Sequence, residues 1–143
     1  MKDPALSPVI NPISEARRYV ANANQTLQEH GQFNPEDKCY DDPKYVKAAG
    51  NYLWLAVLLA LEAVFHVKES KKKGARVDVD DYKAAVAQRD RKLTKWVNDA
   101  YNVMHLSMNY DGIQSKTVCD EGFRLANAII DRCAKLYTEP VYA

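Results

Sequence analysis

The run from Asn51 to His66, Asn-Tyr-Leu-Trp-Leu-Ala-Val-Leu-Leu-Ala-Leu-Glu-Ala-Val-Phe-His, is the most apolar stretch of the chain and limits what the rest can be. Apolar positions at helical spacing cover more than one side: Val46, Ala49, Leu53, Val57, Ala60 and Val64 on one face, Trp54, Leu58, Leu61 and Phe65 on another. A helix apolar all round is buried by other helices or by lipid. The uninterrupted run from Tyr52 to Leu61 is about half what a bilayer needs, and Glu62 and His66 follow at once, so the pattern selects the core helix of a bundle and no membrane span. Asp42-Pro43 is its expected start, because the carboxylate caps the first turn and the proline loses no hydrogen bond there. Lys71, Lys72, Lys73 and Gly74 are its expected end, three cations for the negative helix terminus and a glycine to close it. Gly50, inside this helix, costs roughly 1 kcal/mol relative to alanine and is expected to mark a close crossing with a neighbour.

The other elements arrange themselves around that helix. Pro4, Pro8 and Pro12 mark residues 1–13 as an extended arm. Ser14 is the expected cap of a helix reaching Gly31, with Ala16, Tyr19, Val20, Ala23 and Leu27 on its stripe. Residues 31–41 read as a connection pinned by Phe33 and Tyr40. Asp78 or Asp80 caps a helix holding Tyr82, Ala85 and Val86, and the polar run Gln88 to Lys92 interrupts its stripe. The stripe resumes through Leu93, Val97, Ala100, Met104 and Met108 and stops at Tyr110-Asp111-Gly112, which favours two helices over one between residues 80 and 109. Ser115 caps a last helix carrying Val118, Gly122, Leu125, Ala126, Ile129, Cys133 and Leu136, and Glu139-Pro140 ends it. No stretch alternates with period two, so strands are not expected. The expectation is an all-α, up-and-down bundle of four or five helices, one domain over residues 14–137 followed by a short tail over 138–143.

Twenty basic and nineteen acidic side chains leave a formal charge of +1, which offers no global field for a polyanion and makes a nucleic-acid partner an unfavoured reading. The three cysteines are too few and too widely spaced for a disulfide framework or a zinc cluster and are expected to be reduced, small and buried. No apolar leader opens the chain, and the expected address is the cytoplasm. No phosphate loop or nucleophile elbow occurs, so no cofactor and no metal are expected.

Two stretches, Lys44-Tyr-Val-Lys-Ala-Ala-Gly-Asn-Tyr-Leu-Trp-Leu-Ala-Val-Leu-Leu-Ala-Leu-Glu62 and Tyr101-Asn-Val-Met-His-Leu-Ser-Met-Asn-Tyr-Asp-Gly112, resemble a family of small bacterial proteins of unknown function that in turn looks like the HEPN helical bundles. The resemblance covers Ser14 to Leu136 and implies an up-and-down bundle. Many HEPN-like ribonucleases carry an arginine and a histidine separated by four to six residues. The matching windows before His30, His66 and His105 are Ala23 to Gln25, Leu59 to Leu61 and Asn98 to Ala100, and none holds an arginine, so that catalytic pair is not carried over.

The candidate binding residues are therefore Glu62 with His66, Tyr101 with His105, and the loop pair Tyr110 and Asp111. The first two couples stand at i and i+4 on a helix, within reach of each other, and a desolvated carboxylate beside an imidazole is one route to perturbed titration. Lys68, Lys71, Lys72, Lys73 and Arg76 form the one dense basic cluster, which a phosphate-rich partner could use; Glu69, Asp78, Asp80 and Asp81 offset it, and a solvated helix end is the favoured reading. The sequence reading is a non-enzymatic bundle that acts by binding, as a homodimer with a protein or small-molecule partner. Its alternative is a HEPN-like protein acting on RNA or nucleotides through other residues. The dimer expectation rests on surplus apolar surface at Trp54, Leu58, Phe65, Trp96 and Val103.

Overall fold

In the computed structural model, which describes residues 11–138, α1 spans Pro12–His30, α2 Pro43–Phe65, α3 Val67–Ser70, α4 Val79–Ala87, α5 Arg91–Ala100 and α6 Lys116–Leu136. A π-helix over Tyr101–Tyr110 continues α5 without interruption. The expected all-α bundle is thus present, with five long helical rods and the single turn of α3 among the described residues. Residue pairs fix the directions. His30 stacks on Tyr45 and Tyr19 meets Tyr52, so α1 and α2 are antiparallel. Arg17 pairs with Asp131, which runs α6 antiparallel to α1. Trp54 meets Tyr101 and His105, and a Cβ on Gly50 would meet Met104 and Met108, so the π segment runs against α2.

The caps explain most boundaries, and several differ from expectation. Asn11, not Ser14, caps α1: its side-chain oxygen accepts from the amides of Ile13 (2.8 Å) and Ser14 (3.3 Å), and Pro12 takes the first helical position. Residues 12–13 are therefore helical; residues 1–10 of the expected arm, and 139–143 of the expected tail, lie outside the described residues. Asp42, Asp78 and Ser115 cap α2, α4 and α6 as expected. Asp90 caps α5 and makes the break between two helices, accepting from Leu93 N–H at 3.1 Å and from Arg132 of α6 at 2.9 Å. Burial alone would raise its carboxyl, but these donors outweigh it and hold the group below its ordinary value.

The central helix is shorter than expected. It ends at Phe65 because His66 adopts a left-handed backbone (φ 51°, ψ 42°), and Gly74 (φ 83°) closes a later turn. A left-handed histidine costs roughly 1–2 kcal/mol, and no glycine or asparagine announces it. Two-residue strands also appear where none were expected: β1, Phe33–Asn34, pairs with β2, Cys39–Tyr40, inside the α1–α2 connection. Tyr40 is buried and pins this loop, while Phe33 remains exposed against its ring at 5.4 Å.

By length and composition α2 is long and apolar enough to cross a membrane, yet more than half of its most apolar window is buried inside the protein. Val46, Ala49, Leu53, Val57, Ala60 and Val64 all lie in the core, with Trp54 and Leu61 beside them. Gly50 has the expected role. A Cβ there would stand 2.6 Å from Met108 Cβ and 2.7 Å from both Asn109 N and Met104 O. Gly122 of α6 approaches the same residue from the other side, with Met108 Sδ 2.7 Å from where its Cβ would be. Met108 is thus clasped between two glycines, fully buried.

Gly50→Ala should lower stability by about 1–3 kcal/mol despite the helical propensity it gains, because two of the three nearest atoms are backbone and cannot swing away. Urea unfolding measures this, and a variant as stable as the parent or more so would show that the helices are not in contact there.

Candidate functional site

Two clefts flank the connector between α3 and α4. The first, of about 340 Å³, is lined by Tyr19, Leu55, Leu58, Leu59, Val77 and Tyr82, with Glu62 and Lys68 at its polar edge. The second, of about 300 Å³, is lined by Trp54, Leu58, Tyr101 and His105 on the helical side and by Arg76, Val77 and Asp78 of the connector. Leu58, Val77 and Tyr82 belong to both. Each helix contributes for a local reason: α2 is apolar all round and has more such side chains than its core face uses, and the π segment carries Tyr101 and His105 one turn apart.

The aromatic cleft is the more organised. His105 stacks on Trp54 with ring centroids 5.7 Å apart and planes at 29°, Tyr101 meets the same indole edge-on at 5.7 Å, and Tyr101 and His105 lie 5.3 Å apart. Trp54 is only 6% exposed, so the half-buried Tyr101 and His105 present the ring surface to the cleft. Lys83 places its ammonium 4.6 Å from the Tyr101 centroid. Asp78 is committed elsewhere, accepting from Asp81 N–H at 3.2 Å in the capping box of α4.

The expected Glu62–His66 couple does not form. His66 turns away at the helix end, exposed, with Nδ1 3.4 Å from Glu69. Glu62 instead accepts from the Lys68 amide (3.0 and 3.2 Å) and from the Tyr82 hydroxyl (3.0 Å). These bonds cap α3 and tie α4 to α2, and they offset the cost of the left-handed turn at His66. Burial first, and then the Glu62 carboxylate, holds the Tyr82 phenol above its ordinary value, so it stays a donor. Tyr110 and Asp111 sit elsewhere: Tyr110 is 76% exposed, and the following Gly112 (φ 65°) packs on Lys47 and Pro43 at the start of α2. Of the six candidates, the fold brings Tyr101 and His105 together in one cleft, gives Glu62 to the other, and leaves His66, Tyr110 and Asp111 apart.

The sequence singles out neither Trp54 nor Tyr82 as a site residue, and Arg76 only within the basic cluster. Trp54 reads as core, Tyr82 as one apolar stripe position, and Arg76 as one of five cations in a helix end; only the return of the connector over α2 joins them. A larger groove of about 530 Å³ between α1 and α6 is lined by Arg17, Asn24, Lys116, Asp120 and Asn127, but Arg17 pairs with Asp131 and Lys116 with Asp120, which describes a solvated polar surface. The cysteines are unbridged; Cys119 and Cys133 are buried, which pushes both thiols up to about 12, while Cys39 is half-buried rather than buried as expected. Among the described residues no three His, Cys, Asp or Glu side chains gather where they would hold a metal ion.

Residues 11–135 match the family described as a domain of unknown function (DUF5618). A solved structure, a protein of unknown function from Dyadobacter fermentans, is 39% identical and superposes with a TM-score of 0.78, covering 87% of this chain and 94% of that one. No curated protein matches the chain.

Glu62→Ala should cost about 1–3 kcal/mol, chiefly because it strands the hydroxyl of the buried Tyr82, whereas the exposed Lys68 amide turns to water. Denaturant unfolding checks it, and a loss below about 0.5 kcal/mol would mean that water replaces the carboxylate at no cost.

Proposed function

The chain belongs to the DUF5618 family, and on that premise we propose that it is a non-enzymatic binding module that takes a small molecule into the cleft of Trp54, Tyr101 and His105. The observation that carries this reading is an apolar and aromatic wall, Trp54, Leu58 and Tyr101, that meets the imidazole of His105 and the guanidinium of Arg76, the composition that small-molecule sites have. A HEPN-like protein acting on RNA is the second reading, supported by the presence of Arg76 and His105 on one cleft although they are far apart in sequence. One screen separates the two. Thermal shift against a small-molecule library and short single-stranded RNAs should give small-molecule hits that raise the melting temperature and are lost in His105→Ala. RNA that is cleaved by the wild type and not by His105→Ala would instead favour the second reading.

The homodimer is proposed on a separate observation. Leu55, 39% exposed, stands among half-buried Tyr19, Leu58 and Leu59 in the first cleft, with Glu62 and Lys68 at its edge. Opposite charges on one patch let two copies related by a two-fold axis set carboxylate against ammonium, and a net charge of +1 leaves little repulsion. Sedimentation equilibrium should give twice 16.2 kDa at micromolar concentration, returning to 16.2 kDa in Leu55→Arg. A wild-type mass of 16.2 kDa up to about 100 μM, where dimers worth more than roughly 5–6 kcal/mol are visible, removes the dimer.

A further inference from the structure

Resting on the ligand-binding reading, we infer that the cleft between Trp54, Tyr101, His105 and Arg76 selects a flat ring bearing an anionic group, a phosphate or a carboxylate. The ring half of this assignment comes from Tyr101 and His105. Both are half-buried and line the cleft, and both are backed by Trp54, which fixes their planes. A planar ligand stacks on such a surface without disturbing the core, gaining the offset or edge contact that aromatic pairs favour.

The anionic half comes from the cations. Arg76 lines the cleft and, among the described residues, makes no hydrogen bond or ion pair. Its guanidinium offers a planar fork of donors suited to the paired oxygens of a carboxylate or phosphate. Lys83, 4.6 Å from the centroid of the Tyr101 ring, adds a second positive charge beside a residue that lines the cleft. The opposing charge, Asp78, already accepts from the first turn of α4, where the helix's positive end offsets it. Asp81 is likewise held by Lys71 at 2.9 Å.

The test uses Trp54 as reporter in the Trp96→Phe background, where it is the one remaining tryptophan. Phenyl phosphate and phenylacetate are titrated against phenylacetamide, which has the ring without the charge. At least one anion should quench Trp54 emission saturably and bind at least tenfold more tightly than the amide. Preference for phenyl phosphate identifies a phosphate ligand, preference for phenylacetate a carboxylate, and either supports the inference. Arg76→Gln should bring the anion down to the level of the amide with no change in melting temperature, since the side chain is exposed and has no partner among the described residues. Equal binding of amide and anion, or undiminished binding by Arg76→Gln, overturns the anion selectivity while the ligand-binding reading stands. Quenching by none of the three overturns the ring assignment as well, and the thermal-shift library then decides independently whether any small molecule binds.

Discussion

The close approach of Gly50 and Gly122 to Met108 is the contact on which the rest of this structure depends. A glycine in mid-helix is a local loss, and this chain accepts it in two helices at the same place. What is gained is proximity: backbone atoms of the π segment come within 2.7 Å of where a Cβ on Gly50 would be. At that separation Met108 is clasped from both sides, and its unbranched, adaptable side chain suits a gap defined by two missing methyl groups. The helix is wound as π along this stretch, with Leu106 C=O accepting from Asp111 N–H at 2.8 Å. A π winding is rare as a whole element and is found where function or packing sustains it.

The aromatic cleft follows from that contact. With the π segment held against α2 at Gly50, the next turn of each helix sets Trp54 against Tyr101 and His105. The second wall arises from the opposite end of α2, where the left-handed backbone at His66 turns the chain back and Glu62 fastens the turn through Lys68 and Tyr82. The connector then crosses Leu58 and separates an apolar groove from an aromatic one. One tight contact and one polar fastening, on one helix, thus define both clefts.

Helix existence and core faces are legible in this sequence because apolar spacing at 3.6 residues per turn has a single reading over such long stretches. Asp42, Asp78 and Ser115 announce their helices because a short polar acceptor before an apolar stripe has few other uses. The end of α2 is not legible, since a histidine in the left-handed region is an exception that Glu62 and Tyr82 sustain from outside the local sequence. The π winding is hidden for a related reason: Tyr101 and His105, four residues apart, share a face in either winding. Of the surplus apolar residues, Trp54 joins the core while Leu58, Phe65, Trp96 and Val103 stay half-buried, a division set by tertiary neighbours rather than by spacing. Leu136, expected on the buried stripe of α6, is exposed at the last turn, and Ile130 is in the core instead.

Gly50 thus carries the π segment and thereby places the aromatic cluster. Nuclear Overhauser spectroscopy on selectively labelled protein tests it most directly. Strong cross-peaks are expected from both Gly50 Hα protons to Met108 Hβ, together with cross-peaks between the Trp54 indole and the His105 ring. Absence of the Gly50 to Met108 peaks, with Trp54 and His105 still in contact, would contradict it, because the cleft would then be assembled without the contact held to create it.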